Sequence, residues 1–175
     1  MAAQDGQTEI VKLLLNAGAV VNSDDKDILL LPSYYGYREI VKLLLSTQVE
    51  VDYPSEGGVT SLYIASMVGN TEIVKLLLNA KADVNATTED GYTPLYVAAE
   101  AGKIEVLELL IQFNGDVNAM GKGGRTPLYA NIANKNINSE IVRLLLMAGA
   151  ETNIIVKRDG NIYSLLDIAK LVGNT

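Results

Sequence analysis

The feature that most constrains this chain is self-similarity at a spacing of 33 residues: Leu62 answers to Leu95, Gly69 to Gly102, Glu72 to Glu105 and Asn85 to Asn118. A fixed period of that length marks one supersecondary unit copied many times, each copy closing its apolar surface against its neighbours rather than around a single centre. The fullest copy runs from Glu89 to Asn118. In it Thr93 is placed to cap a helix, and Pro94 takes the first helical position, where a missing N–H costs nothing. Leu95, Ala98 and Ala99 form a narrow apolar stripe, and the small alanines let another backbone come close. Gly102 can take the left-handed conformation that closes this helix. A second helix from Glu105 to Phe113 then carries Val106, Leu109 and Leu110 on one face, extended by Leu107 and Ile111. Asn114-Gly115 supplies the next left-handed cap, and Asp116-Val117-Asn118 leads into the following turn.

The run Thr93-Pro94-Leu95-Tyr96-Val97-Ala98 resembles the Thr-Pro-Leu-His-x-Ala signature of the ankyrin repeat, with Tyr in place of His. The resemblance implies an all-α repeat solenoid, with stacked helix-turn-helix units joined by β-hairpin-like finger loops. The whole chain, 1–175, then reads as one ankyrin-repeat domain. Partial copies over 1–23 and 156–175 flank copies over 24–54, 55–87, 88–120 and 121–155.

The copies are not equal. The first lacks its Thr-Pro-Leu and begins in mid-unit. In the second, Pro32 would sit inside the first helix, at a cost of about 3 kcal/mol, unless that helix starts late with Pro32 in its first turn; the late start is expected. Its finger is short, since Glu9 and Glu39 are 30 residues apart, and Gln48 stands where Gly18 closes the first copy. In the third copy Lys81 takes that position, so a left-handed lysine is expected there. The fifth copy gains two residues around Asn134–Asn138, where the turn should protrude, and puts Asn131 where Ala98 is buried, which requires a hydrogen-bond partner or a local shift. The sixth has a lengthened finger around Asp159-Gly160 and no second helix, which leaves an apolar face of Leu166 and Ala169 open. Such ends predict end-to-end self-association. They also fit an alternative, a regulatory array cut from a larger enzyme, channel or effector protein.

With 14 basic against 21 acidic residues the chain carries a net charge of −7, which argues against nucleic acid as a partner. It has no Cys and no His, so thiolate or imidazole metal sites and the usual nucleophilic triads are excluded. No catalytic residue, cofactor or metal is expected, and the chain reads as a non-enzyme. It contains no apolar run long enough to span a bilayer and no basic leader, so a soluble, cytoplasmic protein without membrane insertion is the simplest expectation. Gly121-Lys122-Gly123-Gly124-Arg125 has the composition of a phosphate loop but lacks the preceding strand and the Gly-Lys-Ser/Thr order, and reads as a finger tip. Asn85-Ala86-Thr87 matches a glycosylation acceptor, yet Asn85 is the structural Asn of its copy. Glu105 with Glu108, and Asp24 with Asp25, read as solvated faces.

What the period does not fix points to function. In the ankyrin family, partners dock in the concave face built from finger tips and the exposed ends of the first helices. By register this face holds Tyr34, Tyr35, Met67, Val68, Glu100 and Ala101, together with the finger residues Tyr53, Val59, Tyr92, Met120 and Arg125. Tyr, Met and Arg are enriched at interfaces, and a scaffold does not need them facing solvent. The expected role is a non-enzymatic protein–protein interaction module. For Tyr34 and Tyr35 the competing reading is that they fill the irregular core of the second copy. Tyr63, Tyr96 and Tyr129, in register one turn after each cap, read as an inter-repeat ladder.

Overall fold

The computed structural model describes residues 7–21, 27–134, 137–153, 155–158 and 161–173. The shortened finger of the second copy, the carboxylate pair Asp24 and Asp25, and Asp159-Gly160 lie outside the described residues, as does the centre of the Asn134–Asn138 insertion. Helices α1 (Thr8–Asn16), α3 (Arg38–Leu45), α5 (Thr71–Asn79), α7 (Ile104–Gln112) and α9 (Ser139–Met147) are the second helices of successive copies. The first helices are α2 (Leu30–Tyr35), α4 (Ser61–Val68), α6 (Pro94–Glu100), α8 (Pro127–Ile132) and α10 (Leu165–Gly173). Each layer stacks in order, α2 on α4 on α6 on α8 on α10, and α1 on α3 on α5 on α7 on α9.

Local chemistry sets the helix starts. Thr60, Thr93 and Thr126, all buried, accept from the amides of Tyr63, Tyr96 and Tyr129 at 3.2, 3.2 and 3.3 Å. The core repeats with the period: Leu62, Leu95 and Leu128 from the first helices, and Ile73, Val106 and Ile141 from the second, are all 2% exposed or less. Helix α2 does start late, with Pro32 in its first turn and buried.

The helix ends follow the register with two exceptions. Gly18, Lys81, Asn114 and Gly149 close α1, α5, α7 and α9 with φ of 85°, 71°, 64° and 90°. Lys81 is therefore left-handed as expected. In the pair Asn114-Gly115 the left-handed residue is Asn114; Gly115 serves instead by being small, because a Cβ there would lie 2.9 Å from the carbonyl oxygen of Leu110. Gln48 is not left-handed. Helix α3 ends in a tighter turn, where the amides of Ser46 and Thr47 reach Leu43 and Leu44 carbonyls and their hydroxyls donate to the same oxygens at 2.6 Å.

Side chains at one repeated position tie copy to copy. Asn85 Oδ1 accepts from the Asp116 amide at 2.8 Å and its Nδ2 donates to Asn114 O; Asn118 does the same with Glu151 and Gly149. Asp52 holds the corresponding place and accepts from Asp83 at 2.9 Å. Asn131, 1% exposed, keeps Ala98's position by donating to Ala99 O at 3.4 Å, and its Oδ1 has no partner. At the far end Leu166 is exposed as expected, but Ala169 is not open: it packs against the core beside buried Leu165 and Ile168.

The fingers are tight turns rather than full hairpins. Ser55–Val59, Thr88–Tyr92 and Gly121–Arg125 are each closed by an N–H of the first residue to the carbonyl of the last, at 2.9, 3.0 and 3.0 Å. Neighbouring fingers join through Glu89 N–H to Gly57 O and Lys122 N–H to Asp90 O, both 2.8 Å. Gly58 has φ +76°, and a Cβ there would stand 3.0 Å from the Glu89 amide, so this junction requires glycine on both counts. A regular antiparallel hairpin occurs before α10, where β1 (Ile155–Arg158) pairs with β2 (Asn161–Ser164), Ile155 opposite Ser164.

Candidate functional site

The finger turns and the Thr caps together place two side chains per copy on one edge. The last finger residue (Val59, Tyr92 or Arg125) precedes the cap, and the tyrosine whose amide the cap holds (Tyr63, Tyr96 or Tyr129) stands one turn into the helix. A helical side chain leans toward its own N-terminus, and Tyr96 and Tyr129 lean back onto their fingers. The outcome differs by copy. Tyr92 stacks on Tyr96 with centroids 4.3 Å apart and planes at 28°, whereas Arg125 lies over the Tyr129 ring, 5.6 Å from its centroid. Stacking of Tyr92 on Tyr96 within one copy replaces the simple tyrosine ladder expected between copies.

The Tyr92 ring fits because the next finger begins with Gly121. A Cβ at that position would fall 2.3 Å from Tyr92 Cδ1. Beside the ring, Tyr96, Glu100, Arg125, Tyr129 and Asn134 line a cavity of about 310 Å³ between the fourth and fifth copies. Asn134 fixes its far wall by donating to the carbonyl of Glu100 at 2.8 Å. Burial pushes the Tyr96 phenol well above the usual tyrosine range, Glu100 and Tyr92 push the same way, and Arg125 opposes them. Burial also raises the Tyr63 phenol, with Glu100 adding to it. Glu100 thus acts on tyrosines of two copies.

On α2 of the same layer of helices the exposed surface is also aromatic. Tyr34 and Tyr35 are 45% and 55% exposed, which removes the reading that they fill a core. Their rings meet edge to face at 5.1 Å, and Tyr35 stacks on Tyr37 at 5.7 Å. Met120 is 58% exposed; Glu100, Ala101 and Arg125 are exposed; Tyr53, Val59, Met67, Val68 and Tyr92 are half-buried. Sequence reasoning did not include Tyr96, Tyr129 and Asn134 in the site. The first two were signalled by their position four residues after a finger's last residue; Asn134 lies in an insertion and carried no signal.

A family model described as ankyrin repeats (3 copies) matches residues 1–56 and 62–156. The chain belongs to the ankyrin-repeat family. Ankyrin repeats are generally protein–protein interaction modules and are typically non-catalytic. No curated protein matches the chain at a significant level. Among the described residues of this ankyrin array no helix is long and apolar enough to cross a membrane, and no cluster of three acidic side chains could hold a metal ion.

Proposed function

We propose that this ankyrin array is a non-enzymatic binding module that grips a partner protein across its concave face, from Tyr34 and Tyr35 through Met67 and Val68 to Glu100, Ala101 and the finger residues Tyr53, Val59, Tyr92, Met120 and Arg125. The observation that carries this reading is the exposed tyrosine pair of α2, held in edge-to-face contact on the same layer of helices as the Tyr92/Tyr96 stack. Rings preset by backbone turns lose little freedom on binding, which favours affinity. Crosslinking pull-down with the parent chain and with a Tyr35→Ala, Met67→Ala double variant tests it. Loss of the captured partners in the variant is expected, and equal recovery would refute the proposed face.

Contact between copies of the chain is a second reading, favoured by one comparison. Helices α1 and α5 have the same sequence, Thr-Glu-Ile-Val-Lys-Leu-Leu-Leu-Asn, yet Ile10 and Leu14 are 44% and 50% exposed where Ile73 and Leu77 are 2% and 0%. At the opposite end of the same layer Leu146 and Met147 of α9 are exposed. Both faces are of the kind that accepts a neighbouring repeat. Sedimentation at rising concentration should show end-to-end association, and a constant monomer mass would exclude it.

A further inference from the structure

We propose that the cleft between the fourth and fifth copies is a receptor for a cationic side chain, with the Glu100 carboxylate as its counter-charge and Tyr96 as its wall, so that the partner presents a basic segment there. This deepens the reading of the face as protein-binding and rests on it.

Three observations carry the assignment. Glu100 ends α6, whose other residues, Pro94 to Ala99, are all buried; it alone of that helix reaches solvent, at the mouth of the cavity. Its carboxylate forms no ion pair among the described residues, whereas Glu9, Glu72 and Glu140 are each paired with a basic residue one helical turn on. The cleft also contains Arg125, whose guanidinium lies over the Tyr129 ring and is held by the Tyr92 and Tyr96 phenols, yet it forms no ion pair with Glu100. A carboxylate beside phenol rings is the environment a guanidinium or ammonium group favours, since the aromatic face and the negative charge attract it together.

The surroundings agree in sign. Exposed Glu56 and Glu89 on neighbouring fingers likewise make no ion pair among the described residues, and the chain carries a net charge of −7. A basic segment approaching along the fingers is therefore steered toward the cleft, more strongly at low salt.

The test is selection of a random dodecapeptide display library against the full chain, followed by affinity measurements with the selected peptides as probes. Expected are peptides with Arg or Lys at one fixed position, about tenfold weaker on Glu100→Gln and unchanged on Glu108→Gln, an exposed carboxylate on the other layer of helices, with binding that falls as salt rises. A melting curve for Glu100→Gln matching the parent's guards against a folding defect. Peptides bearing Asp or Glu there, and lost with Arg125→Gln but not with Glu100→Gln, would overturn the cationic assignment and leave the protein-binding face standing. Peptides indifferent to Glu100→Gln and to Tyr35→Ala alike would overturn both.

Discussion

At the scale of single residues, the position held by Asp52, Asn85 and Asn118 shows how one atom changes the energetics. Each asparagine accepts an amide from the next copy and donates to the carbonyl of a left-handed cap, Asn114 or Gly149. By register the matching carbonyl for Asp52 is that of Lys81, but a carboxylate has no N–H to offer, and its buried Oδ1 is without a partner. Burial raises the Asp52 carboxyl, against the opposing pull of the Asp83 amide. The folded state thus holds this proton more tightly than the unfolded chain does. The stability it lends is complete below the unfolded value, about pH 4, and is lost as pH rises through the higher folded value. Asp52→Asn restores the donor and should stabilise the chain at pH 7 by about 1 kcal/mol. Glu72, Glu140 and Asp167, whose partners hold them below the usual carboxylate range, lose stability in acid equally in both proteins. In urea titrations the difference between variant and parent should therefore shrink toward pH 3, and a gap independent of pH would refute the account.

At the scale of elements, identical peptides are stabilised by different surroundings. Leu14 of α1 and Leu77 of α5 occupy the same place in the same nonapeptide, so helix propensity and side-chain entropy are matched, and beyond the flanking caps what differs is the neighbour on one side. Leu77→Ala opens a cavity at a site 0% exposed and should cost about 2–5 kcal/mol, whereas Leu14→Ala, at 50% exposure, should cost less than about 1 kcal/mol. Denaturation midpoints of the two variants provide the check. The same contrast explains what could be read in advance. The Thr caps and the late start of α2 were legible because adjacent residues dictate them, and the period and the left-handed Lys81 because aligned copies share one backbone. The end of α3 was not, since two hydroxyls close it in place of a left-handed residue. Nor was the shape of the site: register put Tyr92 and Arg125 in place, but the Tyr92 ring fits only because Gly121 of the next copy lacks a Cβ, and Arg125 lies over Tyr129 of its own copy while it also meets Tyr92 and Tyr96 of the copy before.

At the scale of the whole molecule, a stack in which each copy touches only its neighbours has a stability that varies along its axis. The central second helices α3, α5 and α7 are covered from both sides, whereas α1 meets α3 alone among the described second helices. Hydrogen exchange should report this directly, and the repeated nonapeptide supplies an internal standard. An amide's intrinsic exchange rate depends on its own side chain and the preceding one, so Glu9 to Asn16 and Glu72 to Asn79 would exchange at the same rates if both were unfolded. Any difference between them is protection conferred by packing. Because the unit is quasi-one-dimensional, α1 can open without unstacking the rest, while opening α5 breaks contacts with α3 and α7 together. Exchange of 72–79 should therefore be slower than that of 9–16 by at least about a hundredfold, the ratio that roughly 2.7 kcal/mol of extra opening energy produces, comparable to the loss of one buried leucine contact. Equal protection of the two segments would mean that the chain opens all at once, with coupling between copies strong enough to erase the difference between covered and open faces.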